Sequence, residues 1–132
     1  MAFTAPDADF NALAAAQAAL ITHLSLHESA PGKTGAGEAT GGSPAYARKA
    51  VTWGTAGAAG PLGGTLQPAT VGRIYSGEVT FDVDAATYSH WGGWNAASAG
   101  AFHGGDVLEP SSVIASSQGQ VKLWVYLEPA GA

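Results

Sequence analysis

Four groups of residues in this sequence have types and spacings on which chemistry is built. "HESAPGKTGAGEATGG" (27–42) contains Gly32-Lys33-Thr34, the three residues that close a phosphate-binding loop. His23 and His27 are four apart, a metal-ligating interval on a helix. His90 and His103, with Asp106, fall on the two arms of an expected hairpin over 87–109 and suggest an acid–base pair. Asp82 and Asp84 in "FDVDAATY" resemble the paired carboxylates of glycoside hydrolysis.

Each fails on its own spacing or context. A phosphate loop reads G-x-x-x-x-G-K-[ST], and its first glycine would have to be position 27, which is His27. It must also open a helix whose N-terminal amides hold the phosphates. Gly35, Gly37, Gly41, Gly42 and Pro44 follow instead, and they cannot sustain one. "THLSLHE" alternates as a strand does, which sets His23 and His27 roughly 13 Å apart, too far for one ion. They are expected as half-exposed residues flanking a buried Leu-Ser-Leu. His90 and His103 have no nucleophile signature beside them, neither G-x-S-x-G nor cysteine. In "FDVDAATY" alternation turns Phe81 and Val83 inward, leaving both carboxylates solvated as edge protection. No catalytic residue, metal or cofactor is expected.

The elements that carry these residues follow from periodicity. Residues 6–20 read as a helix: Pro6 suits its first turn and Asp7 and Asp9 complement its dipole. Phe10, Leu13, Gln17 and Leu20, continuing to Ile21 and Leu24, form the apolar stripe. Strand patterns follow at 22–28, 46–54, 73–83, 87–97, 100–109 and 120–128, with "NAASAG" as a hairpin turn. A long glycine-rich loop spans 29–44 and a second one spans 55–69. The expected fold is mainly β: one domain over 1–132, an antiparallel sandwich or jelly-roll-like barrel with one N-terminal helix and a short arm at 1–6. Trp53 and Trp124 lie in alternating strands and read as core. Trp91 and Trp94 face opposite sides of a regular strand, so one of them is expected at the surface.

Composition narrows the function classes. The net charge is −5, and only five of the 132 residues are Lys or Arg, so the basic stripe of a nucleic-acid binder is absent. Charged residues make up 11% against a typical value of about 25%, leaving a bland surface that can be buried against a partner without desolvating many ions. The acidic N-terminus and the lack of a long apolar run lead us to expect a soluble, unprocessed chain with no membrane partner.

Leu24, Ser25, Leu26, His27, Pro31, Gly32, Thr34, Gly35, Glu38, then Gly41, Gly42, Tyr46, Arg48, then Trp53, Trp94, Ala96 and Gly100 carry a resemblance. The chain resembles a family of small virion proteins from tailed phages of actinobacteria, often labelled tail-fibre proteins and similar in size to head decoration proteins. Pro44, inserted before the tyrosine, departs from the pattern. The resemblance implies a non-enzymatic virion structural protein. The leading expectation is a capsid decoration protein that stabilises the shell by contacting the major capsid protein or another virion protein as a homo-oligomer, a trimer first. The alternatives are a tail or tail-fibre component and, in another class, a carbohydrate-binding module using Trp91 or Trp94. The arm, the 29–44 loop, Lys33, Arg48 and Trp91 are the expected contact elements.

Overall fold

A computed structural model of the chain describes residues 4–129. Helix α1 (Asp7–Leu20) precedes β1 (His23–His27), β2 (Lys49–Ala50), β3 (Ile74–Tyr75), β4 (Val79–Trp94), β5 (Phe102–Leu123) and β6 (Tyr126–Leu127). Every strand pairing is antiparallel. This is the mainly β class with one N-terminal helix that the pattern predicts. The larger sheet is open, in the order β2-β1-β4-β5, so the barrel option falls away. Of the arm at 1–6, residues 1–3 lie outside the described residues. The chain divides into two compact units.

The unit built from 21–50 and 79–123 holds the four-stranded sheet. β1 runs between β2 and β4, and both its faces are also covered: Leu24 and Leu26 are buried on one, Ser25 and His27 on the other. β4 and β5 form one long hairpin where the sequence suggests four separate strands. The gaps at 84–86 and 110–119, which separate strands in the sequence, are absorbed within the hairpin, whose register shifts at Asp84/Ala86, Tyr88/His90 and Gly92/Trp94. Pro110 is tolerated because β5 lies at the sheet edge, where a missing N–H breaks no ladder. Phe81 and Val83 are fully buried as alternation predicts, while Asp82 accepts a hydrogen bond from Gln120 (3.1 Å). The second half of the 29–44 loop is tied to this hairpin. Ser43 N–H donates to Gln118 Oε1 (2.9 Å), Gln118 Nε2 donates to Pro44 O (3.1 Å), and the Tyr46 ring stacks on Phe81 at 6.1 Å.

The other unit combines α1 with 51–78 and the segment from Trp124 onward. The helix starts as expected, but its buried face is Ala14 and Ala18, packed on Ile74 with Trp53, Ala56 and Leu127 around them. Leu13 and Leu20, from the predicted stripe, are 52% and 47% exposed. Alanine lets the helix backbone approach β3 closely, which a row of leucines would prevent. β3 pairs with β6, and Trp53 bridges to Ser76. Arg73 caps this pair: its guanidinium lies 4.1 Å over the Tyr126 ring and bonds Glu128 at 2.9 Å.

Candidate functional site

Most of the residues quoted for the resemblance lie in the four-stranded unit, and Ser25, His27, Glu38, Tyr46, Arg48 and Trp94 meet there in one place, while Trp53 belongs to the other unit. The first part grows from β1. Alternation sends Ser25 and His27 to the same face, and both are 0% exposed. His27 Nδ1 lies 2.7 Å from Ala36 O, and since a carbonyl only accepts, Nδ1 carries the hydrogen. Nε2 of the neutral ring is then the acceptor for the Ser25 hydroxyl, at 2.7 Å. Ser25 Oγ in turn accepts from the Trp94 indole N–H at 2.8 Å. Hydrogens therefore run one way, from Trp94 through Ser25 and His27 to Ala36. Burial, the largest influence, holds His27 below its ordinary value of 6.5 and keeps it neutral.

The second part closes over the other side of Trp94. Arg48 donates from Nε and Nη2 to the two oxygens of Glu38, both at 3.0 Å. Its guanidinium lies 3.6 Å from the Trp94 ring centroid, and Nη1 donates to Ala99 O at 2.8 Å and Ala96 O at 3.3 Å. Tyr46 O–H donates to Glu38 Oε2 (2.8 Å) and accepts from Leu26 N–H (3.1 Å). Burial works against ionisation of Glu38, but the hydrogen bonds from Arg48 and Tyr46 outweigh it and hold the carboxyl below its ordinary value. Burial pushes the Tyr46 phenol far up.

Two glycines make the geometry possible. Gly35 has φ +79°, and a Cβ there would stand 2.5 Å from the Trp94 ring. Gly92, opposite Ser25 in the ladder, would place a Cβ 2.6 Å from Ser25 Oγ and 2.7 Å from His27 Nε2.

Ser25 and His27 have the separation of a nucleophile and its base. Neither has any exposed surface, Ser25 Oγ is occupied by the indole, and a backbone carbonyl stands where a triad has a carboxylate. The network holds two segments in position. It fixes the first half of the glycine-rich loop through Ala36 and Glu38. It also fixes the hairpin tip at 95–101 through Arg48 and Asn95, whose Oδ1 accepts from Ala101 N–H at 2.8 Å.

The phosphate-loop reading fails as the sequence implies: Gly35 and Ala36 turn back to Pro31 O, and no helix opens at Thr34. Lys33 is exposed in that turn. Arg48, an expected contact residue, has only 9% of its side chain exposed and is committed to the network. Trp91 and Trp94 are 6% and 8% exposed, so neither is the surface aromatic that a regular strand predicts, and neither offers a sugar a ring face. The register shift at Gly92/Trp94 breaks the alternation on which that expectation rests. His27 is fully buried rather than half-exposed, because the loop at Ala36 and the Phe102 ring lie against its face of the sheet. His90 pairs with Val107 and Trp91 with Asp106, so His103 does not oppose His90. Among the described residues no group of three or more metal-ligating side chains gathers, and no helix is long and apolar enough to cross a membrane. Ser25, Glu38 and Tyr46 carry no chemistry in the sequence reading, and Trp94 enters it only as a sugar-platform candidate. Their shared signal is the resemblance motif, of which Ser25, His27, Glu38, Tyr46, Arg48 and Trp94 prove to be a single network.

No curated protein and no solved structure matches the chain. One family does: that described as podophage GP4 fiber I protein gp80, over residues 4–121. That span takes in the whole network, nearly all of the four-stranded unit and, of the other unit, α1 and 51–78 but not β6, and the chain belongs to this family of phage fibre structural proteins.

Proposed function

We propose that the chain is a non-enzymatic structural subunit of a phage tail fibre or of the tail parts that carry it. The family match over 4–121 carries this reading and favours the tail over the capsid surface. The polar network supports it: the serine, histidine, glutamate and arginine an enzyme would use are turned inward and occupied. In this reading the network is a clamp that stiffens two loops for contact, the 29–44 loop with exposed Lys33 and the hairpin tip at 95–101. Arg48 and Trp91 act from beneath rather than as touching residues. The chain works as a homo-oligomer, a trimer first, against another virion protein, in a phage of an actinobacterial host. Each contact buries nearly uncharged surface at about 25 cal/mol per Å² before association costs, and repetition along an assembly multiplies modest contacts.

Quantitative mass spectrometry of purified particles tests it, with antibody labelling to locate the protein. A few to some dozens of copies, labelled at the tail, is the expected result. Hundreds of copies on the head would replace it with the capsid-decoration reading, and absence from particles would end both.

A further inference from the structure

We propose that His27 is an acid-sensitive latch. Protonation of its ring ends the one-way hydrogen-bond chain and loosens the 28–38 loop and the Trp94 end of the hairpin, while the far part of the β4–β5 ladder stays paired. This stands apart from where the protein sits in a virion.

The argument is geometric. Each hydrogen in the chain has one place. A second ring hydrogen on Nε2 would face the Ser25 hydroxyl hydrogen across 2.7 Å. Ser25 Oγ already accepts the Trp94 indole, so the hydroxyl must swing toward a new acceptor inside a fully buried site. Gly92 leaves no slack there, since even a methyl group would collide with both Ser25 and His27. The charged and titratable neighbours come from three directions. Glu38 of the loop favours the cation but is engaged by Arg48 and Tyr46; Arg48 itself and His90, opposite on β4, disfavour it. β5 presents Phe102, a ring 6.4 Å away with no charge to offer.

The loop is the part that can yield. It is held on β1 by Glu28 N–H to Gly37 O (3.0 Å), Ala39 N–H to Leu26 O (2.9 Å) and the His27–Ala36 bond. Glu28, Ala36 and Gly37 are themselves exposed. A continuous ladder holds β1 on β4.

Hydrogen exchange of the full chain at pH 7.5 and 5.0, corrected for intrinsic rates, tests the latch. At pH 5.0 a freed imidazole of ordinary affinity is protonated about 30 to one, so opening gains up to ~30-fold. The amides of Glu28 and Ala39 and the Trp94 indole N–H should accelerate toward that limit. Those of Phe81, Val83 and Val121 should change less than about threefold. His27→Gln should remove the acid step and His90→Gln should keep it. If His27→Gln does not fold, ¹⁵N spectra of the unaltered chain still decide: the Nδ1–H tautomer at pH 7.5, with loop signals moving together with His27, supports the latch. An Nε2–H tautomer, unchanged loop rates, uniform acceleration of the sheet, or loss of the step in His90→Gln would each overturn it.

Discussion

Arg48→Lys separates a clamp from a mere surface charge. Arginine at this position makes two bonds to the Glu38 carboxylate, two to the hairpin carbonyls of Ala96 and Ala99, and a stack on Trp94. Lysine keeps the charge but has no planar fork, so it can satisfy Glu38 or the hairpin and not both. A hydrogen bond involving a charged group is worth about 1.5–3 kcal/mol, and the energies of bonds that share one guanidinium do not add. With 9% of Arg48 and 22% of Glu38 exposed, the pair is mostly shielded from solvent, which places it well above the range of a surface pair. Losing the fork and the stack should cost about 2 kcal/mol, and Arg48→Met, which leaves the carboxylate without its cation, about 3–4 kcal/mol. Urea unfolding followed by tryptophan fluorescence reads these as shifts in midpoint at constant slope. A double-mutant cycle with Glu38→Gln should return a coupling of about 2 kcal/mol. If Arg48→Lys lies within about 0.5 kcal/mol of the parent, or the coupling vanishes, the clamp does not hold this unit together.

Gly92→Ala should cost about 2–3 kcal/mol in the same assay, because its methyl group meets Ser25, His27 and Phe102 at 2.6–2.9 Å, whereas Gly64→Ala, whose nearest atom is a carbonyl at 3.4 Å, should stay within about 0.5 kcal/mol. Stability should also fall at both ends of the pH scale. Glu38 lies below its ordinary 4.5 in the fold, so its contribution is present above pH 4.5 and is lost as pH falls through the folded value. Tyr46 lies above its ordinary 10.0, so its contribution is intact below pH 10 and is lost as pH rises beyond it. Urea midpoints from pH 4 to 11 check both signs, and the phenolate absorbance of Tyr46, isolated by Tyr46→Phe, should appear only as the protein unfolds.

The legible parts of the fold were those set by local periodicity. "VTFDV" alternates and sits half-buried, so its faces came out right, and Pro6 with Asp7 and Asp9 marked the helix start. Bulk is a misleading signal for the helix face. Here close approach decides the packing, and Ala14 and Ala18 go inward while Leu13 and Leu20 stay outside. The long β4–β5 hairpin looked like four strands because a bulge and a turn draw on the same small and polar residues. Its true continuity depends on cross-strand pairing that no single stretch records.

The site was legible as a list and illegible as an arrangement. Glu38 and Arg48 flank a glycine-rich stretch ten residues apart, and Trp94 is forty-six residues further on. Nothing local says that the three stack. In a chain with five cations, though, an arginine placed near a glutamate and short of other acids has few partners to choose from. Scarcity of charge therefore carries information about structure. Where charges are few, each one inside a fold must be matched or it costs several kcal/mol, and Arg48 pairs with Glu38 and Arg73 with Glu128. Each pair also lays its guanidinium on an aromatic ring, Trp94 in one unit and Tyr126 in the other. Arg48 in one unit and Arg73 in the other thus each fasten distant segments, and outside these pairs the chain carries three more cations, Lys33, Lys49 and Lys122, against eight acids.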